Sequence, residues 1–73
     1  MKSINGKGYF YAIILDKTTG RYYGSKIKEL ILIDDFDDCM LQTENDERVI
    51  VPLRNLYNTC YDMLVALSLA NQD

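Results

Sequence analysis

Residues 30–53, LILIDDFDDCMLQTENDERVIVPL, decide the fold. Runs of β-branched and apolar residues are cut twice by acidic, turn-forming clusters. Asp34, Asp35, Asp37 and Asp38 surround Phe36 in the first cluster. Glu44, Asn45, Asp46 and Glu47 make the second. Apolar runs bounded by Asp and Asn read as strands joined by turns. Residues 39–44 are expected to form one strand, with Cys39, Leu41 and Thr43 on one face. Residues 48–53 form the next, with Val49, Val51 and Leu53 sharing a face. Pro52 has no N–H to donate to a ladder, so this strand ends there or lies at a sheet edge. Phe36 is expected to fold back onto the core.

Upstream, residues 26–34 (KIKELILID) alternate at first and then become apolar on both faces. That suits a strand entering the middle of a sheet, with a short helix as the rival. Residues 9–15 (YFYAIIL) are aromatic and β-branched, hence a strand. Residues 16–20 (DKTTG) turn the chain, with Gly20 supplying a positive φ. Residues 21–25 (RYYGS) return, with a kink expected at Gly24. Residues 1–8 read as a flexible lead-in.

Downstream, Asn55 is a candidate N-cap for a helix over residues 56–71. On a helical wheel Asn55, Thr59, Asp62 and Ala66 form one narrow polar stripe, and nearly everything else is apolar. Leu56, Tyr57, Cys60, Tyr61, Met63, Leu64, Val65, Leu67 and Leu69 cover the rest. Such a helix needs cover on more than one side, and a small sheet provides one. A self-association interface is therefore expected at Tyr57, Tyr61, Leu64, Val65, Leu67 and Leu69. The competing reading makes residues 65–70 (VALSLA) a strand.

Composition narrows the class. With 73 residues the chain is one domain, and it buries only about 60% of its unfolded surface. A hydrophobic share of 48% argues against disorder. No run approaches the ~20 apolar residues of a membrane span, and no cleavage pattern marks a signal peptide. Two cysteines do not make a disulfide framework, so reduced thiols and a cytoplasmic setting are expected. The net charge of −3 is unevenly laid out: six cations precede Glu29 against one acid, and two follow it against nine further acids. Such asymmetry points to an interaction surface.

No catalytic, metal or cofactor site is expected. There is no histidine to serve Cys39 or Cys60 as a base. The first acidic turn lacks the sixth-position glycine and twelfth-position glutamate of a calcium loop. Two binding surfaces remain open. Asp34, Asp35, Asp37, Asp38, Glu44, Asp46 and Glu47 could together face a basic partner, imitating a phosphate row. Alternatively Lys17, Arg21, Tyr22, Tyr23, Lys26 and Lys28 could hold single-stranded nucleic acid by stacking among cations. The acidic pI works against that alternative. A third reading is an oligomer that sequesters a small anionic ligand between subunits.

Two resemblances follow from these residues. The run GYFYAIILDKTTGRYYGS resembles the opening of the GIY-YIG nucleases through Tyr9, Tyr23 and Gly24. It covers about a quarter of the chain, and the helix that family needs next is replaced by KIKELILIDDF. The stretch ELILIDDFDDCMLQTENDERVIVPLRNL resembles the Sm/LSm group of SH3-type barrels. Asp35, Phe36, Leu41, Val49, Val51 and Leu53 take matching core positions over about half the chain. The resemblance implies a bent five-stranded barrel and a ring assembly. Val51-Pro52-Leu53 departs from the polar corner of that family's RNA site, and the amino-terminal helix is missing.

The expected fold is therefore α+β: a small, strongly bent antiparallel sheet or SH3/Sm-like barrel of about five strands over residues 9–53, with a carboxy-terminal helix. The expected function is a non-catalytic binding or inhibitory protein, a homo-oligomer that occupies a partner protein's surface. Its composition is like that of phage or mobile-element accessory proteins.

Overall fold

A computed structural model describes residues 8–72. Five antiparallel strands form one sheet in the order β4-β3-β2-β1-β5, followed by one helix: β1 (Tyr11–Asp16), β2 (Arg21–Ile33), β3 (Asp38–Thr43), β4 (Arg48–Pro52), β5 (Leu56–Tyr57) and α1 (Cys60–Ala70). The fold is α+β, and the sheet does not close into a barrel. The lead-in expected over residues 1–8 lies, except for Gly8, outside the described residues.

β2 organises the sheet. The two strands expected over residues 21–34 are one strand of 13 residues. Its first half pairs with β1, from Asp16↔Arg21 to Tyr11↔Lys26, and its second half with β3, from Ile27↔Thr43 to Ile33↔Cys39. Register shifts fall between Ile27 and Glu29 and between Leu30 and Leu32. Each extra residue bends the strand and increases its twist. The shifts also put Ile27 and Leu30, three apart, into the same buried cluster. That explains why strict alternation from Ile27 to Ile33 fails.

All five strands contribute to that cluster: Ala12, Ile14, Ile27, Leu30, Cys39, Leu41, Val51 and Leu56. The tight turns are built as the acidic clusters suggest. Asp37, Asp46 and Gly20 take positive φ, at 61°, 65° and 75°. The Asp34 carboxylate accepts from the N–H groups of Phe36 and Asp38. Buried Thr43 is satisfied in the same way, its hydroxyl accepting from the Asn45 and Glu47 N–H groups. Phe36, however, does not fold back: it is 87% exposed at the tip of its turn.

The helix begins later than expected. Leu53–Asn55 form a single 3-10 turn, and Leu56–Tyr57 pair with β1 as Tyr11↔Tyr57 and Ala12↔Leu56. Burial of Leu56 in the core holds this segment extended. Thr59, not Asn55, caps α1, its hydroxyl accepting from the Asp62 N–H at 3.1 Å. Asp62 in the first turn also favours the positive end of the helix dipole. Asn55 instead donates its side-chain amide to the Ile13 carbonyl.

α1 lies on the face of the sheet opposite the cluster. Met63 is buried there over Gly24, whose cross-strand partner is the buried Ile13. A Cβ at Gly24 would fall 2.3 Å from Met63 Sδ, with Leu67 also in contact. The glycine is thus a seat for the helix. Gly24→Val is expected to cost about 1–3 kcal/mol by overpacking. Chemical denaturation would measure it, and restoration by Met63→Ala would locate it. At its far end α1 is fastened by Asn71. The Tyr22 N–H donates to Asn71 Oδ1 at 2.8 Å, and Asn71 Nδ2 donates to the Tyr22 carbonyl at 2.9 Å. One side-chain amide thus occupies the β2 edge as a neighbouring strand would.

Candidate functional site

The helix presents the largest departure from a finished surface. Eleven residues at 100° per residue place Met63 and Leu67 on the sheet side. Tyr61, Val65 and Leu69, spaced i, i+4 and i+8, fall on the opposite side, flanked by Leu64. All four are exposed, Tyr61 at 74% and Leu69 at 65%. The charge that should line an outward face is limited to Asp62. A groove of about 450 Å³ runs beside this stripe, between α1 and β5, lined by Leu56, Tyr57, Tyr61, Val65, Ala66 and Leu69 among others. Four such side chains expose on the order of 400 Å² of apolar surface, comparable to the largest patch on an ordinary monomer and often functional there.

Two residues of the expected interface are not on the outward stripe. Leu67 is half-buried and packs toward Gly24, and Tyr57 is half-buried within β5. The outward set is therefore Tyr61, Leu64, Val65 and Leu69.

The seven acids do not make one face. β3 separates the two turns, and six residues at about 3.3 Å each put them roughly 20 Å apart. They also differ in commitment. In the second turn Asp46 pairs with Lys28 and Glu44 accepts from the Lys26 backbone N–H at 3.1 Å. In the first turn the Asp34 carboxylate accepts the loop's own N–H groups, and the side chains of Asp35, Asp37 and Asp38 are exposed around Phe36. Among the described residues no three thiols or carboxylates converge on a point that could hold a metal ion. The acidic tip is thus an aromatic ring within a ring of charge.

The amino-terminal hairpin is divided too. Tyr22 and Tyr23 are successive strand residues and so face opposite sides of the sheet. Burial pushes the Tyr23 hydroxyl pKa up, and the Glu47 and Asp16 carboxylates nearby push it further. Carboxylates at that ring oppose an incoming phosphate. Lys28 is spent on Asp46, which leaves Lys17 and Arg21 at the hairpin's turn and exposed Lys26 further along β2.

The two thiols differ sharply. Cys60 is exposed at the start of α1, and Cys39 is fully buried in the core. Burial raises the Cys39 pKa first, and Asp37, Asp34 and Asp38 raise it further. The fold thus favours the neutral thiol. The stability this contributes is complete below the ordinary thiol value near pH 9 and is lost as pH climbs through the raised one. Alkaline titration of wild type against Cys39→Ala is expected to show the wild type losing relative stability above about pH 9. Dithiobis(nitrobenzoate), an aromatic disulfide, should label Cys60 at once and Cys39 only on unfolding, releasing one nitrothiobenzoate per thiol.

Comparison with family models, curated proteins and solved structures finds no match to this chain. The class is set by geometry alone: a small α+β domain, an open five-stranded sheet under one helix whose outer face is apolar.

Proposed function

We propose that this chain is a non-catalytic binding protein that works as a homodimer joined through α1. A two-fold contact would bring Tyr61, Leu64, Val65 and Leu69 of each copy against those of the other, with Val65 near the axis. The observation that supports it is the helix itself, apolar on both sides and covered on one. A stable interface needs about 800 Å² from each partner. The exposed stripe supplies roughly half of that, and the flanking groove beside β5 lies within reach of the same contact.

Pairing through α1 leaves the acidic tip of each copy outward. Phe36, held up among Asp34, Asp35, Asp37 and Asp38, has the form of an aromatic anchor within a charged rim. Its complement is a basic protein surface with an apolar dimple, so the dimer would act by occupying such a surface. The strand order, the long shared β2 and the 3-10 turn before β5 support an SH3- or Sm-like reading of the sheet.

The contact is tested by cross-linking. In a Cys60→Ser background, Val65→Cys places one accessible thiol at the centre of the stripe. Mild oxidation is expected to give a covalent dimer, because facing helices bring such positions within disulfide range. A control thiol at Lys17 should give little. Equal cross-linking from both sites, or none from Val65→Cys, would refute the interface.

A further inference from the structure

A second opening lies away from α1. It is an open groove of about 720 Å³ where the sheet fails to close, between β1 and β4, and no residue of α1 lines it. Ile14 and Leu15 form one wall, Val49 and Ile50 the other, and Met40 and Val51 also contribute. The charged residues at this groove are Lys17 and Arg48, both cations, and the one ion pair among the described residues is elsewhere.

β4 is the edge strand of the sheet, and β1 is open on this side beyond its short pairing with β5 and the Asn55 bond to the Ile13 carbonyl. The Thr43 N–H donates to the Glu47 carbonyl at 2.8 Å, and the Leu53 N–H donates to the Asp37 carbonyl at 2.7 Å. These bonds bracket the β3–β4 ladder and set its phase. Antiparallel bonding alternates every second residue. Val49 and Val51 therefore turn their N–H and C=O toward β3, whereas Arg48 and Ile50 turn theirs outward. Across the groove, Ile27 N–H to Phe10 carbonyl sets the β1–β2 phase, and the Tyr22 backbone is taken by Asn71. By the same alternation Leu15 turns its N–H and C=O away from β2, into the groove. Ile50, at the middle of the β4 edge, is 66% exposed.

We infer that this groove binds an extended, apolar segment of a partner protein carrying an acidic residue, which adds to β4 as a sixth strand. The Ile50 and Arg48 N–H and C=O groups supply the ladder. Alternate side chains of the segment drop between Ile14 and Val49. Lys17 and Arg48 receive the acidic residue. Pro52, lacking an N–H, ends the pairing and fixes how far the segment runs. The paired cations choose the occupant, since a domain of net charge −3 otherwise repels acids. This inference is independent of dimerisation through α1.

A random dodecapeptide library displayed on phage and panned on the immobilised protein is the test. Enriched peptides should be apolar at alternate positions and carry Asp or Glu at one end. Ile50→Pro removes an outward N–H that the fold does not use, and should weaken a selected peptide more than about tenfold. Lys17→Glu/Arg48→Glu should do the same while circular dichroism stays unchanged. No enrichment over the charge-reversed protein would overturn the inference. So would peptides that bind Ile50→Pro unimpaired, which would mark the groove as a site for apolar side chains alone, or competition solely by a second copy of the chain.

Discussion

Leu41→Ala is expected to leave the chain largely unfolded at 25 °C. Leu41 is fully buried, sits midway along β3 and packs in the cluster to which all five strands contribute. Truncating such a leucine costs about 2–5 kcal/mol, because the cavity collapses only in part. A single core in a chain this short yields roughly 3–5 kcal/mol in total. The loss therefore equals most of what holds the fold. Leu30→Ala, equally buried on β2, should behave alike. By contrast Leu32, on the same strand but exposed, should tolerate alanine within about 0.5 kcal/mol. Thermal unfolding followed by far-ultraviolet circular dichroism reads all three. A cooperative melt of Leu41→Ala at the wild-type midpoint would mean that the strands do not share this core.

The second large effect concerns the helix. Leu64→Glu/Leu69→Glu is expected to weaken self-association by about a thousandfold while sparing the sheet. In a two-fold contact each change acts twice, and burying an unpaired carboxylate costs several kcal/mol. Two anchors in each of the two copies, at about 1 kcal/mol apiece, give that factor. The same substitutions leave Met63 over Gly24 and Asn71 on Tyr22, so the helix stays seated. Size-exclusion chromatography with light scattering compares the two proteins at one concentration. If both elute with the same mass, the exposed stripe is not an interface.

The α+β class and the extended segments of β1 to β4 were legible because local chemistry sets them, whereas β2 read as two strands and β5 as the start of a helix. Asp and Asn clusters mark both β-turns, Gly20 marks the first hairpin, and Pro52 does close an edge strand. What long-range contacts decide was not legible. Gly24 reads as a kink, yet it lies mid-strand because Met63, 39 positions later, needs its space. Asn55 reads as a cap, yet Leu56 is drawn into the core and the helix waits for Thr59. The spacing of Thr59 and Asp62 was the available signal, since Thr-x-x-Asp before an apolar run is a capping pattern. Phe36 reads as a core residue because it is apolar, but the strained Asp37 beside it turns the tip outward. The seven acids read as one surface because sequence order hides that β3 separates them. The clamp of Asn71 on the β2 edge carried no local sign at all.

Pairing through the outer face of α1 is the claim on which the functional reading stands, and sedimentation equilibrium of the wild-type chain over micromolar concentrations tests it most directly. A paired chain has a mass of twice 8.4 kDa that falls toward 8.4 kDa on dilution. A mass of 8.4 kDa at every concentration would contradict it.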